Sequence, residues 1–134
     1  MAIKRLTKAD HPQSFGTFKP VGHVVVAMPD DGSATLAVQA LRDAGFGAED
    51  ILQYTAAEED DEMDRMLRHT SDFAGFGYEV SLMRRYQQLA KDGASWLIVF
   101  APDDEHTARV TSVARRCGAL MAEKYHRMVI EDLI

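Results

Sequence analysis

Two stretches of the chain combine an unbroken apolar run with the same polar turn. The run Val24–Met28 is followed by Pro-Asp-Asp, and the run Leu97–Ala101 is followed by an identical Pro-Asp-Asp. A short continuous apolar run bounded by turn residues is typical of a buried strand. The second copy follows the first at an offset of 73 residues (Pro102 against Pro29), and at the same offset Arg42 returns as Arg115 and Gly45 as Gly118. This repeat predicts two equivalent structural units about an internal pseudo-two-fold.

Each turn precedes a segment whose apolar residues recur at helical spacing, which predicts a helix with one buried face. These residues are Ala37, Ala40, Leu41 and Ala44 in the first copy and Val110, Val113, Ala114 and Cys117 in the second. Gly45 and Gly118 stand where a left-handed residue would close each helix. A second strand is expected after each helix, at Ile51–Tyr54 and Tyr125–Ile130. The residues of the latter segment alternate between two faces, as in a half-exposed edge strand.

Two strand-helix-strand units predict an α/β (α+β) fold of the ferredoxin-like type. We expect a four-stranded sheet with helices on one face and the two apolar strands adjacent and parallel at its centre. Residues 1–20 form an N-terminal basic arm, and residues 21–134 form a single domain with a helical hairpin inserted at about 56–93. The hairpin begins at the capping box Thr55–Glu58, and its second helix, Tyr78–Lys91, stops at Asp92-Gly93.

Composition narrows the function classes. The chain has 134 residues, enough for one substantial core. Its formal net charge of -6 argues against nucleic acid as a partner. The single cysteine, Cys117, excludes an intramolecular disulfide and a multi-thiolate metal site. No apolar run resembles a signal peptide or a membrane span, so we expect no membrane association and a cytoplasmic location.

The Pro-Asp-Asp turns contain the candidate ligand-binding residues Asp30, Asp31, Asp103 and Asp104. Parallel neighbouring strands would bring all four carboxylates to one sheet edge, where ligands of open α/β sheets gather and where a divalent cation would find oxygen ligands. The alternative, which we favour, is that proline stops each strand and aspartate caps the following helix, together with Ser33 or Thr107.

Other motifs predict no chemistry. The five histidines show no metal-ligand spacing, and we assign no catalytic residue, no metal and no cofactor. Phe73–Tyr78, with two glycines and three aromatic residues, lacks the spacing of a phosphate-binding loop and is interpreted as a packed hairpin. The acidic run Glu58–Asp64 is interpreted as a solvated helix face.

Several segments resemble the bacterial general stress protein 17M-like domains. They are the Ala-Gly-Phe that ends the first helix, the strand Gly-x-x-Trp-Leu-Ile-Val-Phe-Ala-x-Asp-Asp from Gly93, and the helix Ala-Arg-x-x-Ser-x-Ala-Arg-Arg-Cys-Gly-Ala from Ala108, with Gly77, Glu79 and Tyr86 in the preceding helix. The likeness covers roughly Val21 to Ile130. It implies a ferredoxin-like domain of bacterial origin with a stress-related role, and it supplies no catalytic residue set.

Three functions remain open. The first is a non-enzymatic, self-associating module that forms a homo-oligomer and binds a small molecule at a subunit or repeat interface. The second is a metabolite-sensing regulatory domain like the ACT group. The third is an enzyme that uses the carboxylates of the Pro-Asp-Asp edge. A fold of this kind hosts many functions, so the site has to decide between them.

Overall fold

A mixed α/β architecture is built on one five-stranded sheet. The computed structural model describes residues 5, 20–55, 58, 84–86, 88–89, 91–126 and 129–134. The strands are β1 (His23–Met28), β2 (Ile51–Tyr54), β3 (Ser95–Phe100), β4 (Met121–Tyr125) and β5 (Ile130–Asp132); the helices are α1 (Asp31–Asp43) and α2 (Asp104–Arg116), with a 3-10 turn at Ala48–Asp50. The sheet order is β2-β3-β1-β4-β5, and all neighbouring strands are antiparallel.

The two apolar strands are adjacent, as predicted, but the predicted parallel orientation is wrong. Strand β1 pairs antiparallel with β3, with His23 opposite Phe100 and Met28 opposite Ser95. An apolar run carries no information about strand direction. The crossover through α1 makes β1 parallel to β2, and β3 is inserted between them, antiparallel to both. The two Pro-Asp-Asp turns therefore lie at opposite ends of the central strands.

The C-terminal strand was also predicted at the wrong position. In place of one strand over Tyr125–Ile130, β4 ends at Tyr125 and β5 begins at Ile130, and the His126 amide donates to the Val129 carbonyl at 2.9 Å. The strand that sequence reasoning missed contains Glu123 and Lys124, which are buried despite their charge. Among the described residues the sheet therefore has five strands, where four were predicted.

The two 13-residue helices pack on one face of the sheet, and their buried faces are those that the spacing predicts. Ala37 and Leu41 of α1 and Val110 and Ala114 of α2 are buried against the alternate residues Val24, Val26, Met28, Leu97 and Val99 of the central strands. Gly45 and Gly118 have φ values of +105° and +77°, which confirms the predicted left-handed closures.

The opposite face of the sheet is covered as well, by a segment that lies within the range 56–93 of the predicted insertion. Residues 84–86, 88, 89 and 91 are helical, and we call them the covering segment. Tyr86 and Leu89 pack on a second core formed by the other alternate residues of the sheet. The Ala94 amide donates to the Leu89 carbonyl at 2.9 Å, and Gly93 has a φ of +99°, which confirms the helix stop predicted at Asp92-Gly93.

The start of the predicted insertion is also visible. The Thr55 amide donates to Glu58 Oε1 at 3.0 Å, and the Glu58 amide donates to Thr55 Oγ1 at 3.3 Å, which is the reciprocal pattern of a capping box. The rest of the first insertion helix, the Phe73–Tyr78 segment and most of the basic arm lie outside the described residues. Arg5 of the arm is described: its Nε donates to Asp50 Oδ1 at 2.8 Å, and its guanidinium lies 5.1 Å from the centre of the Phe100 ring. No helix within the described ranges is long and apolar enough to cross a membrane.

Candidate functional site

The Pro-Asp-Asp turns are built as helix caps. Asp30 is the N-cap of α1: its Oδ1 accepts from the Ser33 amide at 2.7 Å, and its own amide donates to Ser33 Oγ at 3.2 Å. Asp103 is the N-cap of α2, and its Oδ1 accepts from the His106 amide at 2.8 Å and lies 2.6 Å from His106 Nδ1. These backbone hydrogen bonds lower the pKa of both caps, Asp30 and Asp103, below the ordinary aspartate value.

The four candidate carboxylates do not form one site. Asp30 and Asp31 follow the end of β1, whereas Asp103 and Asp104 follow the end of β3, which runs in the opposite direction. A six-residue strand at about 3.3 Å per residue separates the two turns by about 20 Å. Among the residues that the structure describes, no group of three or more histidine, cysteine, aspartate or glutamate residues is placed to hold a metal ion.

The capping role predicts matched losses of stability. Asp30→Ala and Asp103→Ala should each lower the free energy of unfolding by about 1 kcal/mol, because each leaves a helix amide without its acceptor. The double variant should lose the sum, since the caps are far apart. Urea denaturation measures this, with Asp31→Ala as the control because Asp31 is exposed and accepts no capping hydrogen bond from α1. A coupling energy above about 0.5 kcal/mol between Asp30 and Asp103 would contradict their separation.

The unusual chemistry lies on the second face of the sheet, at Glu123 of β4. This side chain is only 2% exposed, and its Oε2 is buried with no hydrogen-bond partner. Burial, with a smaller contribution from the facing Asp132 carboxylate on β5, raises the pKa of Glu123 to about 7, although Arg85 of the covering segment acts in the opposite direction. At neutral pH this carboxyl group is therefore divided between its charged and neutral forms.

A second polar atom without a partner lies on the same face. Trp96 of β3 is buried, and its indole Nε1 makes no hydrogen bond. The Tyr86 ring of the covering segment lies 4.9 Å from the Trp96 ring, centre to centre, and the Tyr86 hydroxyl is 2.9 Å from the Tyr125 hydroxyl. Native proteins leave few buried polar atoms unpaired, and each such atom calls for an explanation, such as backbone strain, a catalytic role, or a bound water or ion.

The strand register places Glu123 and Trp96 on the same face of the sheet, on the two strands that flank β1. Glu123 pairs with Val25 of β1, while Trp96 pairs with Ala27, two residues further along the same face. Tyr86 contacts Trp96 on β3 and Tyr125 on β4, which lie on either side of β1. The Tyr86 side chain therefore spans the part of the sheet beside Glu123. We call Glu123, Trp96, Tyr86 and Tyr125 the second-face cluster.

Sequence reasoning missed this cluster because it depends on β4. The alternation of Tyr125–Ile130 predicts a strand there instead, and the Met-Ala-Glu-Lys-Tyr segment contains adjacent acidic and basic residues, which are rarely buried. One signal was available: at the offset of 73 residues Ile51, the first residue of β2, corresponds to Lys124, which lies within β4. Applying alternation from Met121 would have placed Glu123 on the face shared by Met121 and Tyr125.

The neighbouring residue Lys124 points to the helix-side face and has a structural role. Its Nζ donates to the Ala101 carbonyl at 2.5 Å and to Thr107 Oγ1 at 2.7 Å, and the side chain is 5% exposed. Burial lowers the pKa of Lys124, and the carboxylates of Asp104, Asp103 and Glu131 oppose this effect. The ammonium group thus fastens β4 to the turn between β3 and α2.

His23 is the remaining buried ionisable residue of the sheet. It begins β1, its Nδ1 lies 3.0 Å from the Val21 carbonyl, and its ring is 5.1 Å from the Phe100 ring, centre to centre. Burial lowers the pKa of His23, so the imidazole is neutral at pH 7. His23 thus packs at a strand entrance, which is the position predicted for it.

An open surface groove of about 550 Å³ lies between α2 and the C-terminal residues. Its polar lining includes Thr107, Thr111 and Arg115, and these side chains make hydrogen bonds within the protein: Thr107 and Thr111 donate to the carbonyls of Asp103 and Thr107, and Arg115 donates to the Leu133 carbonyl. None of the groove's lining residues has a buried side-chain nitrogen or oxygen without a partner of the kind found in the second-face cluster.

Comparisons of the chain with protein-family models, with curated proteins and with solved structures found no match.

Proposed function

We propose that the protein is a non-enzymatic small-ligand-binding domain, and that the ligand binds at the second-face cluster. One observation carries this proposal: Glu123 Oε2 and Trp96 Nε1 are both buried and both without a hydrogen-bond partner on the same face of the sheet. An acceptor and a donor in one apolar surrounding are the features that orient a small polar ligand. This function corresponds to the metabolite-sensing alternative inferred from the sequence, with its site moved from the turns to the sheet.

The geometry favours binding over catalysis. A nucleophile in hydrogen-bond contact with a base is the signature of covalent catalysis, and the ionisable groups of the described residues are arranged differently. Asp30 and Asp103 are occupied as caps, and Lys124 is bonded to Ala101 and Thr107. Glu123 pairs with Val25 of β1 and lies on the face of the sheet whose described core residues are apolar or aromatic.

The chain provides its own reporter, because Trp96 is the only tryptophan. We expect at least one of four small probes, propylammonium, propanol, propionamide or butyrate, to change the fluorescence of Trp96 in a saturable way. The same probe should raise the midpoint of thermal unfolding, since it binds the native state alone. Asp30→Asn combined with Asp103→Asn should preserve both responses, whereas Glu123→Gln should alter them.

Two results would overturn this assignment. If none of the four probes changes the emission of Trp96, the second-face cluster is not a ligand site. If the double aspartate variant loses the response while Glu123→Gln keeps it, the ligand binds at the turns.

The strand order of the first four strands supports the finer proposal of a ferredoxin-like fold. Each unit, β1-α1-β2 and β3-α2-β4, places its two strands parallel with one strand of the other unit between them, as split β-α-β units do. Strand β5 extends this sheet at the β4 edge. Self-association, a stress-related role and a cytoplasmic location stay predictions from the sequence; light scattering at micromolar concentration tests the first, and a monomer would contradict it.

A further inference from the structure

We propose that the ligand of the second-face cluster is a small organic ammonium ion, whose N–H group donates to Glu123 Oε2 and whose hydrocarbon part lies against the rings of Tyr86 and Trp96. This inference rests on the proposed function and adds the chemical class of the ligand.

Negative charge is in local excess at Glu123. Glu123 and Asp132 are directly opposite each other on β4 and β5, and like charges at such positions destabilise a sheet. The neighbours of Glu123 on the other side, Val25 of β1 and then Ile98 of β3, are apolar. Arg85 of the covering segment is exposed and does not donate a hydrogen bond to Glu123 Oε2. A cation at Oε2 would supply the missing donor and offset the repulsion.

The second-face cluster is rich in aromatic side chains. Tyr86, Trp96 and Tyr125 are all buried on this face, and Tyr86 bridges the other two. Aromatic faces attract ammonium groups, and the attraction is stronger where water is excluded. A metal ion would need further oxygen, nitrogen or sulfur ligands, which the described residues do not group around Glu123. An organic cation suits one carboxylate among aromatic rings better than a metal ion does.

The overall charge of the protein also favours a cationic ligand. The chain carries a formal net charge of -6, which raises the local concentration of cations and lowers that of anions. An anionic ligand would also face the carboxylates of both Glu123 and Asp132. The ammonium class is therefore favoured over carboxylates and phosphates.

The experiment compares three probes of similar size: propylammonium, propanol and butyrate. Saturable changes in Trp96 fluorescence should give the tightest binding for propylammonium. Because the carboxylate form of Glu123 is required and its pKa is about 7, the apparent affinity for propylammonium should rise about tenfold from pH 6 to pH 8. Binding near pH 7 should release about half a proton for each ligand bound, measurable in a pH-stat.

The matched variants are Glu123→Gln and Glu49→Gln, which both remove one carboxylate. Glu123→Gln should weaken propylammonium binding at least tenfold and abolish both the proton release and the pH dependence. Glu49→Gln should leave them unchanged, because Glu49 is exposed in the 3-10 turn. Circular dichroism confirms that each variant is folded.

The outcomes separate this inference from the proposed function. If propanol or butyrate changes Trp96 fluorescence at least as strongly as propylammonium, the site binds a ligand but the ammonium assignment is wrong. The assignment also fails if propylammonium binds without proton release, or if Glu123→Gln binds it as wild type does. If none of these three probes affects Trp96, the ammonium assignment fails, and if propionamide is also without effect, the proposed function fails with it.

Discussion

Glu123→Gln is expected to become more stable relative to the wild type as the pH rises, with the difference in unfolding free energy growing by up to about 3 kcal/mol between pH 4.5 and pH 8. The pKa of Glu123 is raised from 4.5 to about 7 in the folded protein. Between these values the folded protein binds more protons than the unfolded chain, so wild-type stability falls as the pH rises. Each pKa unit corresponds to about 1.4 kcal/mol. The uncharged glutamine variant lacks this loss.

Urea denaturation at pH 4.5, 6, 7 and 8 measures the unfolding free energies of the variant and the wild type. The new amide group can shift the variant's stability by the same amount at every pH, so the test uses only the pH dependence of the difference between the two proteins. Glu49→Gln is the control, because Glu49 is exposed, and its difference from the wild type should stay nearly constant. A Glu123→Gln difference that also stayed constant would show that the carboxyl group titrates near pH 4.5 in the folded protein. It would then remove the physical basis for the pH-dependent binding proposed above.

Local features of the fold could be predicted from the sequence because they depend on residues close together in the chain. The N-caps Asp30 and Asp103 and the left-handed glycines Gly45 and Gly118 are examples. Each is set by hydrogen bonds or backbone conformation within a few residues, and the helical faces follow from spacing alone. The direction of β3 relative to β1 depends instead on how two distant units interleave. Nothing within an apolar run encodes that choice.

The candidate site could not be predicted for a related reason. The sequence does not distinguish a buried glutamate from an exposed one. Within the described part of the chain, the environment of Glu123 comes from separate elements, among them β1, β5 and the covering segment. The aspartates of the turns appeared as candidates because four carboxylates recur in two matching motifs. The same recurrence is explained by two helices that both need an acceptor at the N-cap.

Lys124→Ala is expected to lower the free energy of unfolding by about 3–4 kcal/mol. The buried lysine fastens β4 to the turn after β3, since its Nζ donates to the Ala101 carbonyl at 2.5 Å and to Thr107 Oγ1 at 2.7 Å. The substitution removes both charge-assisted hydrogen bonds, each worth about 1.5–3 kcal/mol, and also the packing of the buried hydrocarbon stem. Release of the desolvation cost that lowers the pKa of Lys124 offsets part of this loss.

Lys124→Met separates the two contributions, because methionine keeps most of the stem and loses the ammonium group. We expect an intermediate loss of about 1–3 kcal/mol, since the Ala101 carbonyl is then left without its donor. Lys91→Ala, at an exposed position of the covering segment, should change stability by less than about 0.5 kcal/mol. Equal stability of Lys124→Met and the wild type in urea denaturation would show that the desolvation cost cancels both hydrogen bonds. The Lys124 ammonium group would then orient the junction of β3, α2 and β4 without stabilising it.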